Sequence, residues 1–119
     1  MVIVVLALTF GGLGLLVIGL LALRGKLRRN HVAGIRTPFT MRSDENWYAT
    51  HRHAAPVLIF AGVAVTAMGL ALLPFAAAGT LPDGFVVAAS GVMAALVLSA
   101  AIGSWLYGTR RARAELEER

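Results

Sequence analysis

The stretch RNHVAGIRTPFTMRSDENWYATHRHAAP, residues 29–56, is a polar island in a chain composed largely of Leu, Val, Ala and Gly. It separates the uncharged run of residues 2–23 from the uncharged run of residues 56–78. A simple connector needs only a few solvated residues, whereas this one carries aromatic residues, prolines and all three histidines of the chain. Its composition therefore predicts an ordered element rather than a plain loop.

The composition indicates a membrane protein. Of the 119 residues, 58% are hydrophobic and 14% are charged, and the mean hydropathy is +0.76, outside the range of soluble domains. The uncharged runs 2–23, 56–78 and 85–107 each reach the length of about 20 residues that a helix needs to cross a bilayer. We expect an all-α membrane protein, one domain with three transmembrane helices. The chain has no cysteine, which excludes disulfides and thiolate chemistry.

The distribution of positive charge predicts the direction of the chain. Seven Lys and Arg residues lie between the first two runs, four follow the third run, and none lies in residues 79–84. Because Lys and Arg collect in cytoplasmic segments, we expect a multi-pass protein of the cell membrane with the N-terminus outside. Residues 24–55 and the C-terminal tail, residues 108–119, are then cytoplasmic. The spaced Arg and Glu of the tail suit a short extension of the third helix, but a plain membrane-exit anchor is the favoured interpretation. This placement also accounts for the net charge of +5, and no nucleic-acid partner is expected.

The start of the chain and the interior of the runs restrict the function further. The first run lacks a basic segment before it, so it is predicted to be a retained span rather than a signal peptide. None of the three runs contains an Asp, Glu, Lys, Arg or His. Ion-coupled transport usually requires such a residue inside the membrane, and a small antiporter is therefore not expected.

Small residues recur four positions apart in the third run, where they would let helices approach closely. The pairs are Ser90/Ala94, Gly91/Ala95, Ala95/Ser99, Ser99/Gly103 and Ala100/Ser104. They predict a close neighbour, which is either another span of this chain or a second copy. Because three helices bury little surface among themselves, we expect a homo-oligomer or a partner membrane subunit in addition to the lipid bilayer.

The island divides into a loop and a helix start. Gly34 permits a turn, and Pro38 favours an extended conformation at the residue before it, so the first half is predicted to be an ordered loop. Ser43 is a suitable N-cap, and it is followed by two carboxylates in the first turn. From there Trp47 and His51 share one helix face. We expect a short amphipathic helix along the cytoplasmic interface, with Trp47 at headgroup depth and a bend near residue 55.

The three histidines are candidate metal ligands. His51 and His53 diverge on a helix, so a zinc site would need His31 or an acidic residue to fold back onto them. Hydrogen bonding by the histidines is the favoured interpretation. No spacing supports a catalytic set, so neither a metal, a cofactor nor an enzymatic activity is expected.

The order of residues in GIRTPFTMRSDENWYATHRHAAP, residues 34–56, closely resembles the signature of the SdpI/YfhL family of small bacterial membrane proteins. In that signature N-x-x-x-G-[IL]-[RK]-[TI]-P-[WF]-T precedes S-x-x-[NA]-W-x-x-[TA]-H-[RK]. The candidate binding or motif residues that follow from the match are Asn30, Gly34, Arg36, Thr37, Pro38, Thr40, Ser43, Asn46, Trp47, His51 and Arg52.

The resemblance implies a role in peptide immunity or signal transduction. The family's namesake protects its producer from a secreted antimicrobial peptide and, when occupied, holds a cytoplasmic repressor at the membrane. By analogy a secreted peptide toxin would meet the outside turn and the faces of the spans, and a cytoplasmic regulator would meet the island through Arg36, Arg42, Trp47 and Arg52. The alternative is a small structural or accessory subunit of a larger membrane complex, in which the motif is a rigid clip between the first two spans. The sequence leaves both open.

Overall fold

The computed structural model describes residues 2–118. Within them the chain forms three long helices, α1 (Val2–Leu23), α2 (Asp44–Ala78) and α3 (Asp83–Glu117), and a one-turn 3₁₀ helix at Thr40–Arg42. Each long helix is long and apolar enough to cross a membrane. The prediction of an all-helical protein with three candidate spans is therefore confirmed.

The three helices form an elongated bundle of 57 × 20 × 19 Å with α2 in the middle. α2 packs against both neighbours, whereas α1 and α3 touch each other little. Successive helices run antiparallel, so the loop of residues 24–43, here called the motif loop, lies at the same end as the C-terminal part of α3. An ion pair between Arg52 and Glu115 joins α2 to α3 at this end.

Glycines allow α1 and α2 to pack closely along their length. A Cβ atom added at Gly62 would lie 2.5 Å from the backbone nitrogen of Leu16, and one at Gly69 would overlap the side chain of Thr9. A Cβ atom at Gly12 would likewise meet α2. Because lipid supplies no hydrophobic force between helices, such close backbone contact is what stabilises their association.

The small-residue face predicted for the third span packs against α2. Ser90, Ala100, Ser104 and Gly108 are all buried, and a Cβ atom at Gly108 would lie 2.7 Å from the Thr50 carbonyl oxygen. The predicted close neighbour is thus another span of the same chain. The neighbouring small-residue face, which includes Gly91 and Ser99, is exposed.

The ends of the helices follow from local chemistry. Gly25 after α1 and Gly79 after α2 both have a φ of 68°, and each is followed by a hydrogen bond to the carbonyl five residues back, from Lys26 to Leu21 and from Thr80 to Phe75. This is the Schellman arrangement, which satisfies the free carbonyls of a helix end. α3 continues past the apolar run to Glu117, so most of the tail extends the third helix.

The predicted separate interfacial helix with a bend near residue 55 is wrong, because α2 is continuous from Asp44 to Ala78 with Pro56 inside it. Proline in a helix interior removes one hydrogen bond and crowds the preceding turn. Here a single buried stripe crosses the proline, at residues 47, 51, 54, 58, 61, 65 and 69. Its spacing of three and four keeps one face against α1 and the motif loop, and this packing outweighs the local cost of Pro56.

Candidate functional site

The first half of the motif loop is ordered by hydrogen bonds within itself. The Asn30 side-chain oxygen accepts from the backbone nitrogens of Val32 at 2.8 Å and Ala33 at 2.7 Å, an Asx turn. The Arg36 guanidinium donates to the carbonyl of His31. Arg36 and His31 are nevertheless exposed, so this half of the loop presents charge to the surroundings while keeping a defined shape.

Two threonines build the turn that carries Pro38. The Thr40 hydroxyl donates to the Ile35 carbonyl at 2.8 Å and accepts from the Thr37 backbone nitrogen at 2.9 Å. The Thr37 hydroxyl in turn accepts from the Thr40 backbone nitrogen at 3.2 Å. Thr40 has no exposed surface, so its hydroxyl serves the backbone of the loop and is unavailable to a partner. Pro38 lies on the exposed side of the turn.

The start of α2 is capped as predicted. Ser43 accepts a hydrogen bond from the Asn46 backbone nitrogen at 3.1 Å, and Asp44 and Glu45 occupy the first turn. The Asn46 side-chain nitrogen also donates to the Phe39 carbonyl at 2.9 Å. One residue of the motif therefore joins the N-terminus of α2 to the threonine turn before it.

The two halves of the motif meet in a cluster, here called the clip, formed by buried Leu27, Trp47 and His51 and half-buried Gly34 and Ile35. Trp47 is fully buried, and its indole nitrogen donates to the Leu27 carbonyl at 2.8 Å. His51 is 1% exposed, and its ring lies 4.1 Å from that of Trp47 between centroids. The clip fastens the chain leaving α1 to the first two turns of α2.

The hydrogen bonds of His51 define its protonation. Its Nε2 accepts from the Ile35 backbone nitrogen at 2.8 Å, and its Nδ1 faces the Trp47 carbonyl oxygen at 2.7 Å. These partners assign the single ring proton to Nδ1. Burial lowers the pKa of His51 from its ordinary value, while the hydrogen bond to Trp47 opposes that shift. His51 is thus a neutral, structural histidine.

Gly34 is required by the clip for two reasons. Its φ of 101° is a backbone conformation that side chains rarely allow. A Cβ atom here would also lie 2.7 Å from His51 Nε2 and 3.2 Å from Trp47 Cη2. The position that the sequence marks as a turn is therefore also a site of close packing.

A second set of contacts joins the motif to the end of α3. The guanidinium of Arg52 donates to both carboxylate oxygens of Glu115, at 2.6 and 2.5 Å, and His53 Nε2 lies 3.3 Å from the same carboxylate. In addition, the guanidinium carbon of Arg113 lies 4.4 Å from the centre of the Phe39 ring, a cation–π contact. The loop, α2 and α3 are coupled at this end of the bundle.

The structure thus sorts the predicted motif residues into three groups. Gly34, Thr37, Thr40, Ser43, Asn46, Trp47 and His51 lie together in the clip and the turns attached to it, whereas Arg52 points to α3, and Asn30, Arg36 and Pro38 lie in the outer part of the loop. Sequence reasoning missed Leu27 and Glu115. Leu27 was detectable as the one apolar residue in the basic segment 24–29, but nothing in the sequence marks Glu115 among the acidic residues of the tail.

His51 and His53 face different partners. His51 faces Ile35 and Trp47, while His53 faces Glu115. Among residues 2–118 no group of three or more His, Asp or Glu side chains is placed to hold a metal ion.

The comparisons with known proteins identify the family. The model of the SdpI/YfhL protein family matches residues 26–108, which include all but the first two residues of the motif loop, the whole of α2 and most of α3. The chain belongs to the SdpI/YfhL family. No curated protein and no solved structure matches it. Since the family is one of membrane proteins, the three apolar helices are those of a multi-pass membrane protein.

The SdpI/YfhL family match covers the clip but not α1. The match begins just before Leu27 and ends at Gly108, where α3 makes its close contact with Thr50. The matched segment therefore contains the clip, the whole of α2 and α3 as far as Gly108, whereas α1 lies outside the match.

Proposed function

We propose that the chain is a non-catalytic, SdpI-like immunity or signalling protein that responds to a secreted antimicrobial peptide. The observation that carries the proposal is the family match over residues 26–108, which contains the entire ordered motif. In this proposal the peptide acts on the membrane-spanning faces or on the turn at residues 79–82, and the motif loop contacts a cytoplasmic regulator.

The proposal includes an orientation. Both the motif loop and the end of α3 are rich in arginine, and the turn between α2 and α3 has no Lys or Arg, which favours a cytoplasmic motif loop and C-terminus and an external N-terminus. The chain has no cysteine, so single cysteines can report the sidedness. Cysteine at exposed Thr80 should react with a membrane-impermeant maleimide in intact cells, whereas cysteine at exposed Arg111 should react only after permeabilisation. The reverse pattern would overturn the orientation.

The contacts between α3 and the motif support a route for a signal. The Arg52–Glu115 ion pair and the Phe39–Arg113 contact join α3 to the motif, so a displacement of α3 against α2 would change both. Signalling of this kind requires two arrangements of the motif with different affinity for a regulator. Arg36 and Arg42 are exposed on the motif loop and can contact such a regulator. Buried Trp47 can affect the regulator only by changing the structure of the loop.

The test is deletion and complementation in the native host, scored for survival during exposure to secreted antimicrobial peptides. Deletion should increase sensitivity, and the unaltered chain should restore resistance. Arg36→Ala should weaken the capture of a cytoplasmic protein by pull-down, whereas Arg28→Ala, at another exposed arginine of the same loop, should not. If deletion changes no sensitivity and Arg36→Ala changes no capture, the proposed function is wrong.

A further inference from the structure

A groove of about 810 Å³ lies between the motif loop and α3. Pro38, Phe39 and Arg42 form its loop side, and Gly103, Leu106 and Arg110 lie on its α3 side. Gly103 has no neighbouring atom within 4 Å of its Cβ position, so the missing side chain keeps the groove open. The groove is distinct from the clip, none of whose residues lines it.

Three exposed arginines give the groove a positive charge. Arg42, Arg110 and Arg113 all line it and are exposed. Within residues 2–118 none of the three pairs with a carboxylate, and Arg113 instead covers the Phe39 ring. Guanidinium groups bind phosphate through paired hydrogen bonds, so the charged end of the groove is complementary to a phosphate group.

The other end of the groove is apolar and continues onto the membrane-facing surface of α3. Leu98, Ile102 and Leu106 follow one another at spacings of four residues and are 64%, 54% and 55% exposed. From Leu98 to Arg110 a helix rises about 18 Å, which is comparable to an extended acyl chain. Trp105 and Tyr107 flank the transition, and such residues favour the level of the lipid headgroups.

From this combination we infer that the groove binds one anionic phospholipid, with its phosphate at Arg42, Arg110 and Arg113 and an acyl chain along Leu106, Ile102 and Leu98. The site uses residues of the motif loop as well as of α3, so a bound lipid joins the two. This binding is independent of whether the protein confers peptide immunity.

The experiment is native mass spectrometry of the full chain in detergent containing equal amounts of phosphatidylglycerol and phosphatidylcholine. We expect adducts of phosphatidylglycerol to predominate. Arg42→Gln and Arg110→Gln should each lower them about fivefold, equivalent to about 1 kcal/mol for one charge at the membrane surface. Arg111→Gln is the matched control, because Arg111 is exposed on the same helix turn but does not line the groove. An equal loss in Arg111→Gln would overturn a defined site in favour of general charge attraction.

A second pair of variants tests the shape of the groove without changing its charge. Gly103→Leu should fill the groove and lower phosphatidylglycerol binding, whereas Gly91→Leu, at another open glycine of α3, should leave it unchanged.

Quenching of Trp105 fluorescence by brominated phosphatidylglycerol provides an independent measurement, with Trp105→Phe giving the background from Trp47. Millimolar inorganic phosphate should leave the lipid bound. Displacement by phosphate alone, or equal binding of phosphatidylcholine, would overturn the lipid assignment.

Discussion

Replacing Gly34 with alanine should disrupt the clip, and the structure allows the size of the effect to be worked out. The new Cβ atom would lie 2.7 Å from His51 Nε2, whereas ordinary contact begins at 3.4 Å, so the ring must move by about 0.7 Å. The ring has little freedom, because Ile35 and Trp47 hold its two nitrogens. A shift of that size along the 2.8 Å bond to Ile35 would stretch it to the limit of a hydrogen bond.

The expected loss of stability has two parts. Backbone strain from a side chain at positive φ costs about 1–2 kcal/mol, and leaving the half-buried Ile35 amide and the buried His51 ring unpaired costs about 1–3 kcal/mol. Gly25→Ala is the matched control, since Gly25 also has a positive φ, but apart from its chain neighbours no residue of 2–118 has an atom within 4 Å of its Cβ position. Gly25→Ala should therefore lose only the stability that backbone strain costs. The difference between the two variants is therefore expected to be about 1–3 kcal/mol.

The assay is unfolding by SDS in mild-detergent micelles, followed by Trp47 fluorescence in a Trp105→Phe background. In Gly34→Ala the emission of Trp47 should shift to longer wavelength as the clip opens, and hydrogen exchange at the Ile35 amide should accelerate. In Gly25→Ala both should stay as in the parent chain. Equal unfolding free energies for the two variants, with unchanged Ile35 exchange, would refute the close-packing argument for Gly34.

Three further predictions concern the clip and the helix contacts. Burial lowers the pKa of His51, so the stability that the neutral ring contributes is complete above about pH 6.5 and is lost as the pH falls towards the lower folded-state pKa. Resistance to unfolding by SDS should therefore fall on acidification, and His51→Gln should remove this pH dependence. Gly62→Leu should separate α1 from α2 and sharply lower the unfolding free energy, whereas Gly11→Leu, with open space at its Cβ position, should be close to neutral. In a double-mutant cycle with Arg52→Gln and Glu115→Gln, the coupling energy should be below about 1 kcal/mol, because the two side chains are 47% and 31% exposed; a value of several kcal/mol would contradict a solvent-screened pair.

Features governed by local chemistry were predictable from the sequence. Hydropathy alone located the three helices, because a segment crossing lipid must be apolar along its whole length. The Ser43 cap was predicted because the hydroxyl and the amide it accepts from are only three residues apart. The turn at Gly34 was predictable for the same reason, although the packing that also requires glycine there was not.

Features governed by distant contacts were not predictable. Trp47 bonds to a carbonyl 20 residues earlier, and Arg52 pairs with a residue 63 positions later. The continuity of α2 belongs to this class as well. Pro56 is a local signal for a helix boundary. Whether the helix continues through it depends on a buried stripe whose partners come from α1 and the motif loop, and these partners are distant in the sequence from Pro56.

Burial also decides which motif residues can test a function. Trp47, Thr40 and His51 are at most 1% exposed, so substituting them alters the fold of the loop, and any loss of activity would not distinguish recognition from misfolding. Arg36 and Pro38 are exposed parts of the same motif. Within residues 2–118 the Arg36 side chain bonds only to a carbonyl of its own loop half, so its replacement should leave the clip intact. A partner that binds the motif must contact such exposed residues. Loss of binding in Arg36→Ala with an unchanged clip would show that Arg36 acts in recognition and not in maintaining the fold.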